Sequence, residues 1–271
     1  MQAFTLKNGE QIFYKDVGSK DKTVVMLHGW TSSHEVYNAP VDLLKNKARF
    51  IIYDQRGHGQ SKGANREAAT IETLACDLKE LIDGLHLSNV ILLGWSMGAA
   101  VAMAYIRMFS DRALSRVILC DMSPKMVNDG QWGLGLYCGK YTKSDMEEDA
   151  AKDFLTLYCA FAIGAIPRLK RVPWLLLGPL LKRKLSFCDE SVLKSLSASM
   201  KLQDNREVIG RITVPLTYFY ADPGSLFSPE LVYWYATHVS SGFTSSRFGN
   251  STHMFISEHP REFAEELSKF L

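Results

Sequence analysis

The stretch GWSMG at 94–98 places a serine between two glycines, each two residues away. A serine hydroxyl is a poor nucleophile at neutral pH, so it reacts only when it is exposed, oriented and deprotonated by a nearby base. An apolar run ends at this serine, and a helical stretch of small residues, 98–110, follows it. A tight turn between strand and helix would project the hydroxyl, and the glycines would let that turn close. The context predicts that Ser96 is a nucleophile; a plain structural turn is the alternative.

A second stretch that could take part in chemistry lies at the end of the first strong apolar run, TVVMLHGW at 23–30. His28 and Gly29 at its end would let the chain turn sharply, so that the backbone N–H of Trp30 points to the same place as that of Met97. Two such donors would form an oxyanion hole, which stabilises the charge that develops on a carbonyl oxygen. The helix after Ser96 would add a favourable dipole. The alternative is a glycine-containing turn with no chemical role.

The segment DQRGHGQS at 54–61 is also polar and glycine-rich. We interpret it as structural, with Asp54 and Arg56 holding a loop in place and the glycines permitting its turn. No direct catalytic role is expected for His58.

Short apolar runs alternate with helical stretches along most of the chain, and these elements must position the candidate residues. The four strongest runs lack the polar alternation of a half-solvated strand, so both of their faces should be buried. Such alternation favours a mostly parallel sheet with helices on both faces. An N-terminal antiparallel edge and two later strands complete the prediction. The expected strands are 23–30, 49–57, 89–96, 115–121, 215–221 and 243–250, and the expected helices include 70–85, 98–110 and 260–271.

The stretch from about 125 to 205 departs from this rhythm. It is rich in aromatic and basic residues, has a helical pattern and lies between two strands, which predicts an insertion that covers one end of the sheet as a lid. Aromatic side chains of the lid could line an apolar pocket over Ser96. Packing of the lid onto the core is the alternative for each of them. The candidates are Trp132, Tyr137, Phe154, Tyr158 and Phe161.

Within the lid, the stretch RLKRVPWLLLGPLLKRKL at 168–185 combines basic and apolar residues. Such a pattern is typical of helices that lie in a lipid interface. It also fits an ordinary pair of lid helices, and the sequence leaves both interpretations open.

Four motifs together resemble the α/β-hydrolase superfamily: HG at 28–29, DQRGHGQS at 54–61, GWSMG at 94–98 and STHM at 251–254. They occur in that superfamily's order and spacing and span nearly the whole chain. The resemblance is to the capped, esterase- and perhydrolase-like branch. It implies an α/β fold with a mostly parallel, doubly wound sheet of about eight strands and a helical cap inserted after the sixth strand. The expected core is 1–124 with 206–271, and the expected cap is 125–205.

In this superfamily the nucleophile is followed along the chain by an acid and then by a histidine near the C-terminus. The resemblance therefore implies that His253 is the general base, oriented by a carboxylate. Asp222 ends an apolar run, but it lies two residues before the usual acid position, which is Gly224 here. Some branches place the acid one strand earlier, where Asp121 ends a buried run and would need a partner such as the His253 N–H. We favour Asp121 and keep Asp222 as the alternative acid.

The composition, with 22% charged and 46% apolar residues, is that of a globular protein. A formal charge of +2 favours neither nucleic acid nor an acidic membrane surface as a partner. No run approaches the roughly 18 apolar residues of a membrane span. Five cysteines without disulfide or metal spacing, and an N-terminus without a signal pattern, favour a reducing, cytoplasmic location. We see no cofactor or metal motif, and we expect neither a cofactor nor a metal.

These features predict a cytoplasmic, carboxylesterase-type serine hydrolase that cleaves a small to medium apolar carboxylic ester through an acyl-enzyme on Ser96. Alternatives on the same fold do not acylate serine: carbon–carbon hydrolases, perhydrolase- or haloperoxidase-like enzymes, and cofactor-free quinolone dioxygenases. The stretch GWTSSHEVY at 29–37, with Trp30 and His34, resembles the last group. A non-catalytic ligand sensor is a third hypothesis, against which the Ser96 and His253 pair argues. The sequence predicts no oligomeric state.

Overall fold

The computed structural model describes residues 1–63 and 69–271. Its strands are β1 (Gln2–Thr5), β2 (Gln11–Val17), β3 (Thr23–Leu27), β4 (Arg49–Asp54), β5 (Val90–Trp95), β6 (Leu114–Cys120), β7 (Leu216–Asp222) and β8 (Phe243–Gly249). They form one sheet in the order β1-β2-β4-β3-β5-β6-β7-β8. Pairing is antiparallel from β1 to β2 and from β2 to β4, and parallel between all later neighbours. The predicted mostly parallel sheet of about eight strands is confirmed, including its antiparallel N-terminal edge.

The centre of the sheet is apolar on both faces. Every residue of β3 and β5 is buried. Successive side chains of a strand point to opposite faces, and accordingly Val25 and Leu92 belong to one hydrophobic cluster while Val24 and Leu93 belong to another. Continuous apolar runs, rather than alternating ones, are what a sheet covered on both faces requires.

Helices supply the cover on each face, as predicted. Helix α1 (Asn38–Leu44) and helix α12 (Pro260–Ser268) join the cluster that contains Val24. Helices α2 (Ile71–Gly84) and α3 (Met97–Phe109) join the cluster that contains Val25. The remaining helices are α4 (Leu136–Gly139), α5 (Lys143–Ala151), α6 (Phe154–Ala165), α7 (Trp174–Leu185), α8 (Glu190–Leu202), α9 (Arg206–Arg211), α10 (Leu231–His238) and α11 (Phe255–Glu258).

Helices α4 to α9 all lie between β6 and β7, so a helical insertion follows the sixth strand. Their starts follow from local side-chain chemistry, because oxygens that precede a helix accept hydrogen bonds from its free N–H groups. Thr142 caps α5, Asp153 caps α6 and Asp189 caps α8 in this way. The division into a 1–124 and 206–271 core and a 125–205 cap stays a prediction.

Within the basic and apolar stretch 168–185, residues Trp174–Leu185 form the single helix α7, which contains Pro179 and whose buried side chains include Leu177 and Leu181. No helix within 1–63 and 69–271 is long and apolar enough to cross a lipid bilayer.

Candidate active site

Ser96 lies at the sharp turn between β5 and α3. Its backbone has φ 54° and ψ −121°, a left-handed conformation that costs about 1–3 kcal/mol for a residue with a side chain. The flanking glycines make this turn sterically feasible. A Cβ on Gly94 would lie 2.3 Å from the carbonyl oxygen of Gly98, and a Cβ on Gly98 would lie 2.1 Å from that of Leu27. The GWSMG spacing therefore has a direct physical reason, because neither glycine can carry a side chain here.

The structure brings Ser96, His253 and Asp121 together. Nε2 of His253 lies 2.9 Å from Oγ of Ser96, and Nδ1 of His253 lies 2.7 Å from Oδ2 of Asp121. All three side chains are buried, with Asp121 completely so. Since a carboxylate only accepts, Nδ1 carries the proton and Nε2 accepts from the serine hydroxyl. This is the arrangement that converts a serine into a nucleophile.

Backbone contacts hold the His253 loop against the end of the sheet. The N–H of His253 donates to the carbonyl oxygen of Gly224 at 3.0 Å, and the indole of Trp95 donates to the carbonyl oxygen of His253 at 3.0 Å. Trp95 immediately precedes Ser96, so the same strand end positions both the hydroxyl and the imidazole.

Asp222 lies apart from this cluster. Its Oδ2 is 2.8 Å from Nε of Arg247, and both side chains are partly exposed. Gly224, at the usual acid position, has no room for a side chain, because a Cβ there would lie 2.2 Å from the carbonyl oxygen of Ser251. The close approach of the Gly224 and Ser251 backbones therefore excludes a carboxylate at position 224, and the choice of Asp121 as the acid stays a prediction.

Ser225 is a member of the site that the sequence did not predict. Its hydroxyl donates to Oδ1 of Asp121 at 2.6 Å and accepts from the N–H of Phe227 at 2.9 Å. Both oxygens of the buried carboxylate therefore have a donor, as burial of a charge demands. No sequence motif marks the serine after Gly224, and it lies beside Asp121 only because of the fold.

The two predicted oxyanion donors lie beside Ser96. Met97 opens α3, and within the described residues neither its backbone N–H nor that of Trp30 has a hydrogen-bond acceptor. Gly29 packs so closely on the serine that a Cβ there would lie 3.2 Å from Cβ of Ser96. The assignment of both N–H groups to an oxyanion hole stays a prediction.

Histidines support the loop that carries Trp30. His58 accepts a hydrogen bond from the N–H of Thr31 at 3.2 Å, and His28 accepts one from the N–H of Gln55 at 3.0 Å. Burial lowers the pKa of His28 to about 4 and that of His58 to about 3, so both are neutral acceptors at neutral pH. These contacts agree with the structural interpretation of 54–61.

A chamber of about 40 Å³ adjoins Ser96, and its walls are mainly apolar. It borders a larger cleft of about 720 Å³, and both are lined by Thr31, Ser32, Lys184 and Met254. Among the described residues, no cluster of histidine, cysteine and acidic side chains could hold a metal ion.

Two of the five predicted pocket residues, Tyr158 and Phe161, line the chamber. Phe154 packs behind it against Trp30, with ring centroids 5.8 Å apart. Tyr137 lines another cavity of about 370 Å³, which shares Trp30 and Phe161 with the chamber. Trp132 packs on Trp234.

Trp132 also donates its indole N–H to the carbonyl oxygen of Lys125 at 2.8 Å. Phe154 and Trp132 therefore follow the packing alternative, whereas a pocket role for Tyr137 stays a prediction. Chamber residues that the sequence did not predict include Ala162, Ala165, Ile166 and Met254.

Comparison with known proteins places the chain in a family. A model of the alpha/beta hydrolase fold matches residues 22–157. A pimeloyl-[acyl-carrier protein] methyl ester esterase from Sodalis glossinidius is 25% identical over 260 residues, which cover 96% of this chain and 97% of the esterase. The non-heme chloroperoxidase CPO-A1 of Kitasatospora aureofaciens is 33% identical over 129 residues, 47% of this chain and 46% of that protein.

Solved structures share the fold over the full length. An esterase from Exiguobacterium antarcticum superposes with a TM-score of 0.83 at 23% identity, covering 99% of this chain and 98% of the esterase. A bromoperoxidase from Bacillus anthracis superposes with a TM-score of 0.79 at 23% identity, covering 96% and 95%. The chain belongs to the α/β-hydrolase superfamily, among esterase- and perhydrolase-like relatives.

Proposed function

We propose that this protein is a serine hydrolase that cleaves a carboxylic ester through an acyl-enzyme on Ser96. The observation that carries the proposal is the continuous chain from Oγ of Ser96 to His253 at 2.9 Å and on to Asp121 at 2.7 Å. A hydroxyl, an imidazole and a carboxylate in this order form the constellation of acyl-transfer enzymes.

In the proposed reaction, Oγ of Ser96 attacks the ester carbonyl carbon while Nε2 of His253 takes its proton. Asp121 stabilises the resulting imidazolium, and the N–H groups of Trp30 and Met97 stabilise the oxyanion. The imidazolium then protonates the departing alkoxide, which leaves as the alcohol. Water attacks the acyl-enzyme through the same proton transfers and releases the carboxylic acid and free Ser96.

The cavities support a small to medium apolar substrate. The chamber next to Ser96 has apolar walls from Trp30, Phe161 and Ile166, and its size of about 40 Å³ suits a short acyl group. The alcohol part of the ester would extend into the adjoining cleft of about 720 Å³. Relatives whose names include esterase agree with this class of substrate.

We also propose that residues 125–205 act as a cap over the site. Tyr158, Phe161 and Lys184 from this segment line the chamber, whereas Ser96 and His253 come from the core. The free thiols of all five cysteines support the proposal of a cytoplasmic location.

A fluorophosphonate probe and a series of 4-nitrophenyl esters test the proposal on the wild type and Ser96→Ala. Labelling and turnover that both disappear in the variant are the expected result. Labelling without ester turnover would contradict the esterase and favour a carbon–carbon hydrolase or a dioxygenase. Absence of labelling together with absence of turnover would favour a ligand sensor.

Perhydrolysis is a second candidate, favoured by the tight apolar chamber and by relatives named as chloroperoxidases. Unlike the non-acylating perhydrolase considered from the sequence, this route keeps the acyl-enzyme on Ser96. Hydrogen peroxide replaces water in the second step: one of its oxygens attacks the acyl carbon while His253 takes its proton, and His253 returns that proton to Ser96 as the peracid leaves. Peracid formation from a short ester and hydrogen peroxide, abolished in Ser96→Ala, is the expected outcome. Hydrolysis that continues without peracid formation would exclude this candidate.

A further inference from the structure

The outer side of residues 167–187, here called the cap face, exposes an unusual amount of apolar surface. Of the ten exposed large apolar side chains in the described residues, five lie on this segment. Leu175 is 84% exposed, so it projects from the surface rather than lining a groove. The five are Trp174, Leu175, Leu176, Leu180 and Phe187.

Helix α7 carries four of these five side chains, and Phe187 follows its C-terminal end. Leu177 and Leu181, 2% and 5% exposed, hold the helix to the protein. Leu176 and Leu180, one turn apart, lie on the outside with 65% and 59% exposure. A helix that buries one apolar stripe and leaves another uncovered has a face available for a partner.

The same segment is strongly basic. Six exposed cations flank the apolar side chains, and the sequence contains no aspartate or glutamate from 154 to 188. One of them, Arg168, lies 3.6 Å from Glu258 of the core. The six are Arg168, Lys170, Arg171, Lys182, Arg183 and Lys184.

This local excess of positive charge is hidden in the whole-chain value of +2. It is complementary to an anionic surface.

Two alternative occupants fit less well. If a second copy docked through the same face, the twofold symmetry would bring like charges together at close range. The exposed apolar side chains of the cap face project from the surface one by one, so a folded acidic protein would need a separate pocket for each of them. A bilayer supplies both requirements at once, since its acyl boundary accepts Trp and Leu side chains while its anionic headgroups attract Lys and Arg.

The cap face also borders the entrance to the site. Leu180, Arg183 and Phe187 line the cleft of about 720 Å³ that adjoins the chamber. A surface bound to this face would therefore lie next to the mouth of the cleft.

We propose that the cap face binds reversibly to anionic phospholipid membranes, with Trp174, Leu175 and Leu176 inserted at the acyl boundary and the cations on the headgroups. This binding does not depend on ester hydrolysis.

The 271-residue chain with Ser96→Ala, which cannot hydrolyse lipid by the proposed route, is the form to test. Its co-sedimentation is measured with vesicles of phosphatidylcholine alone and of phosphatidylcholine with about a quarter of phosphatidylglycerol. We expect binding at least about tenfold tighter to the anionic vesicles, decreasing as salt is added. A blue shift of the tryptophan emission that is lost in Trp174→Phe would place the contact at α7.

Matched variants assign the binding to this face. Leu175→Glu with Leu176→Glu, and separately Lys170→Gln with Arg171→Gln and Lys182→Gln, should each reduce anionic vesicle binding by about tenfold or more. Controls replace the same number of leucines or of cations at exposed positions elsewhere: Leu43→Glu with Leu202→Glu, and Lys20→Gln with Lys47→Gln and Lys143→Gln. These controls should bind as the parent does.

Equal binding to neutral and anionic vesicles, or unchanged binding in both cap-face variants, would overturn the proposal. So would the absence of vesicle binding, whether or not the chain then self-associates through this face. Circular dichroism of each variant separates lost binding from lost folding. Ester turnover by the wild type stays a separate measurement, so failure here leaves the proposed function intact.

Discussion

Two buried carboxylate–imidazole pairs lie at the same edge of the sheet, and only one of them meets a nucleophile. Asp121 follows β6 and lies 2.7 Å from His253, while Asp54 ends β4 and lies 2.8 Å from His34. All four side chains are buried. The pairing of an acid with a histidine therefore does not identify a catalytic centre.

The difference lies in what else each pair contacts. Nε2 of His253 faces the Ser96 hydroxyl, whereas His34 borders the cleft and, within 1–63 and 69–271, contacts no nucleophile through its second nitrogen. Asp54 also accepts from the backbone N–H groups of His34 and Gln60, which holds a loop. The first pair can move a proton to a reacting atom, and the second fixes the chain.

Replacing the two histidines should give the largest contrast. His253→Gln should lower kcat by about 10⁶, because a nucleophile without its base loses nearly all activation. His34→Gln should change turnover of a small ester such as 4-nitrophenyl acetate by less than about threefold, since no reacting atom touches it. If both variants are folded by circular dichroism and lose comparable amounts of kcat, the two pairs do not differ in function.

Replacing the carboxylates at the ends of neighbouring strands gives the next largest effect. Asp121→Asn should lower kcat by about 10⁴, because the amide no longer favours the correct tautomer or the imidazolium. Asp222→Asn should lower it by less than about threefold, since its partly exposed pair with Arg247 contributes little. Steady-state kinetics on one ester measure kcat for both variants, and a larger loss of kcat in Asp222→Asn would refute the assignment of Asp121.

The neighbours of the structural pair should make stability depend on pH. Burial lowers the pKa of His28 to about 4 and that of His58 to about 3, whereas both have a pKa of about 6.5 when unfolded. The unfolded chain binds more protons below pH 6.5, so the free energy of unfolding should fall by up to about 1.4 kcal/mol per histidine per pH unit. The loss should extend from about pH 6.5 down to about pH 4 for His28 and about pH 3 for His58.

Urea denaturation at pH 7 and pH 5 measures this loss. His58→Gln should reduce the pH dependence, and His86→Gln, at an exposed position, should leave it unchanged. An identical free energy of unfolding of the wild type at pH 7 and pH 5 would show that folding does not lower the pKa values of His28 and His58.

Replacing Ser225 should give the smallest effect, and it tests how the Asp121 carboxylate is held beside His253. Ser225→Ala removes a donor to the buried Asp121 carboxylate, so kcat should fall about tenfold and the pH–rate profile should shift. Ser225→Thr keeps the hydroxyl and should restore both. If Ser225→Ala turns over ester with an unchanged rate and profile, the second oxygen of Asp121 does not need this donor.

Some parts of this arrangement were predictable from sequence because backbone geometry dictates them. Backbone atoms approach Gly94 and Gly98 so closely that no side chain fits at either position. The GWSMG pattern therefore predicted the turn at Ser96. The continuously apolar runs predicted the sheet, because burial on both faces demands them.

Other parts depend on contacts between distant segments. The sequence left both Asp121 and Asp222 open as the acid, because the approach of Gly224 to Ser251 and the contact of Asp121 with His253 join segments that are far apart along the chain. Ser225 lies beside Asp121 only because β6 and β7 are neighbours. Trp132 was predicted in the pocket but packs on Trp234, since aromatic composition does not specify where a side chain of the segment before α4 points.

The covalent intermediate is the central claim, and rapid-quench mass spectrometry of the wild type during turnover of 4-nitrophenyl acetate tests it most directly. We expect an acetyl group on the peptide that contains Ser96, formed together with a burst of 4-nitrophenol and absent from Ser96→Ala. Steady turnover with no acylated peptide and no burst, or an acetyl group carried by another residue while Ser96→Ala remains active, would contradict the mechanism.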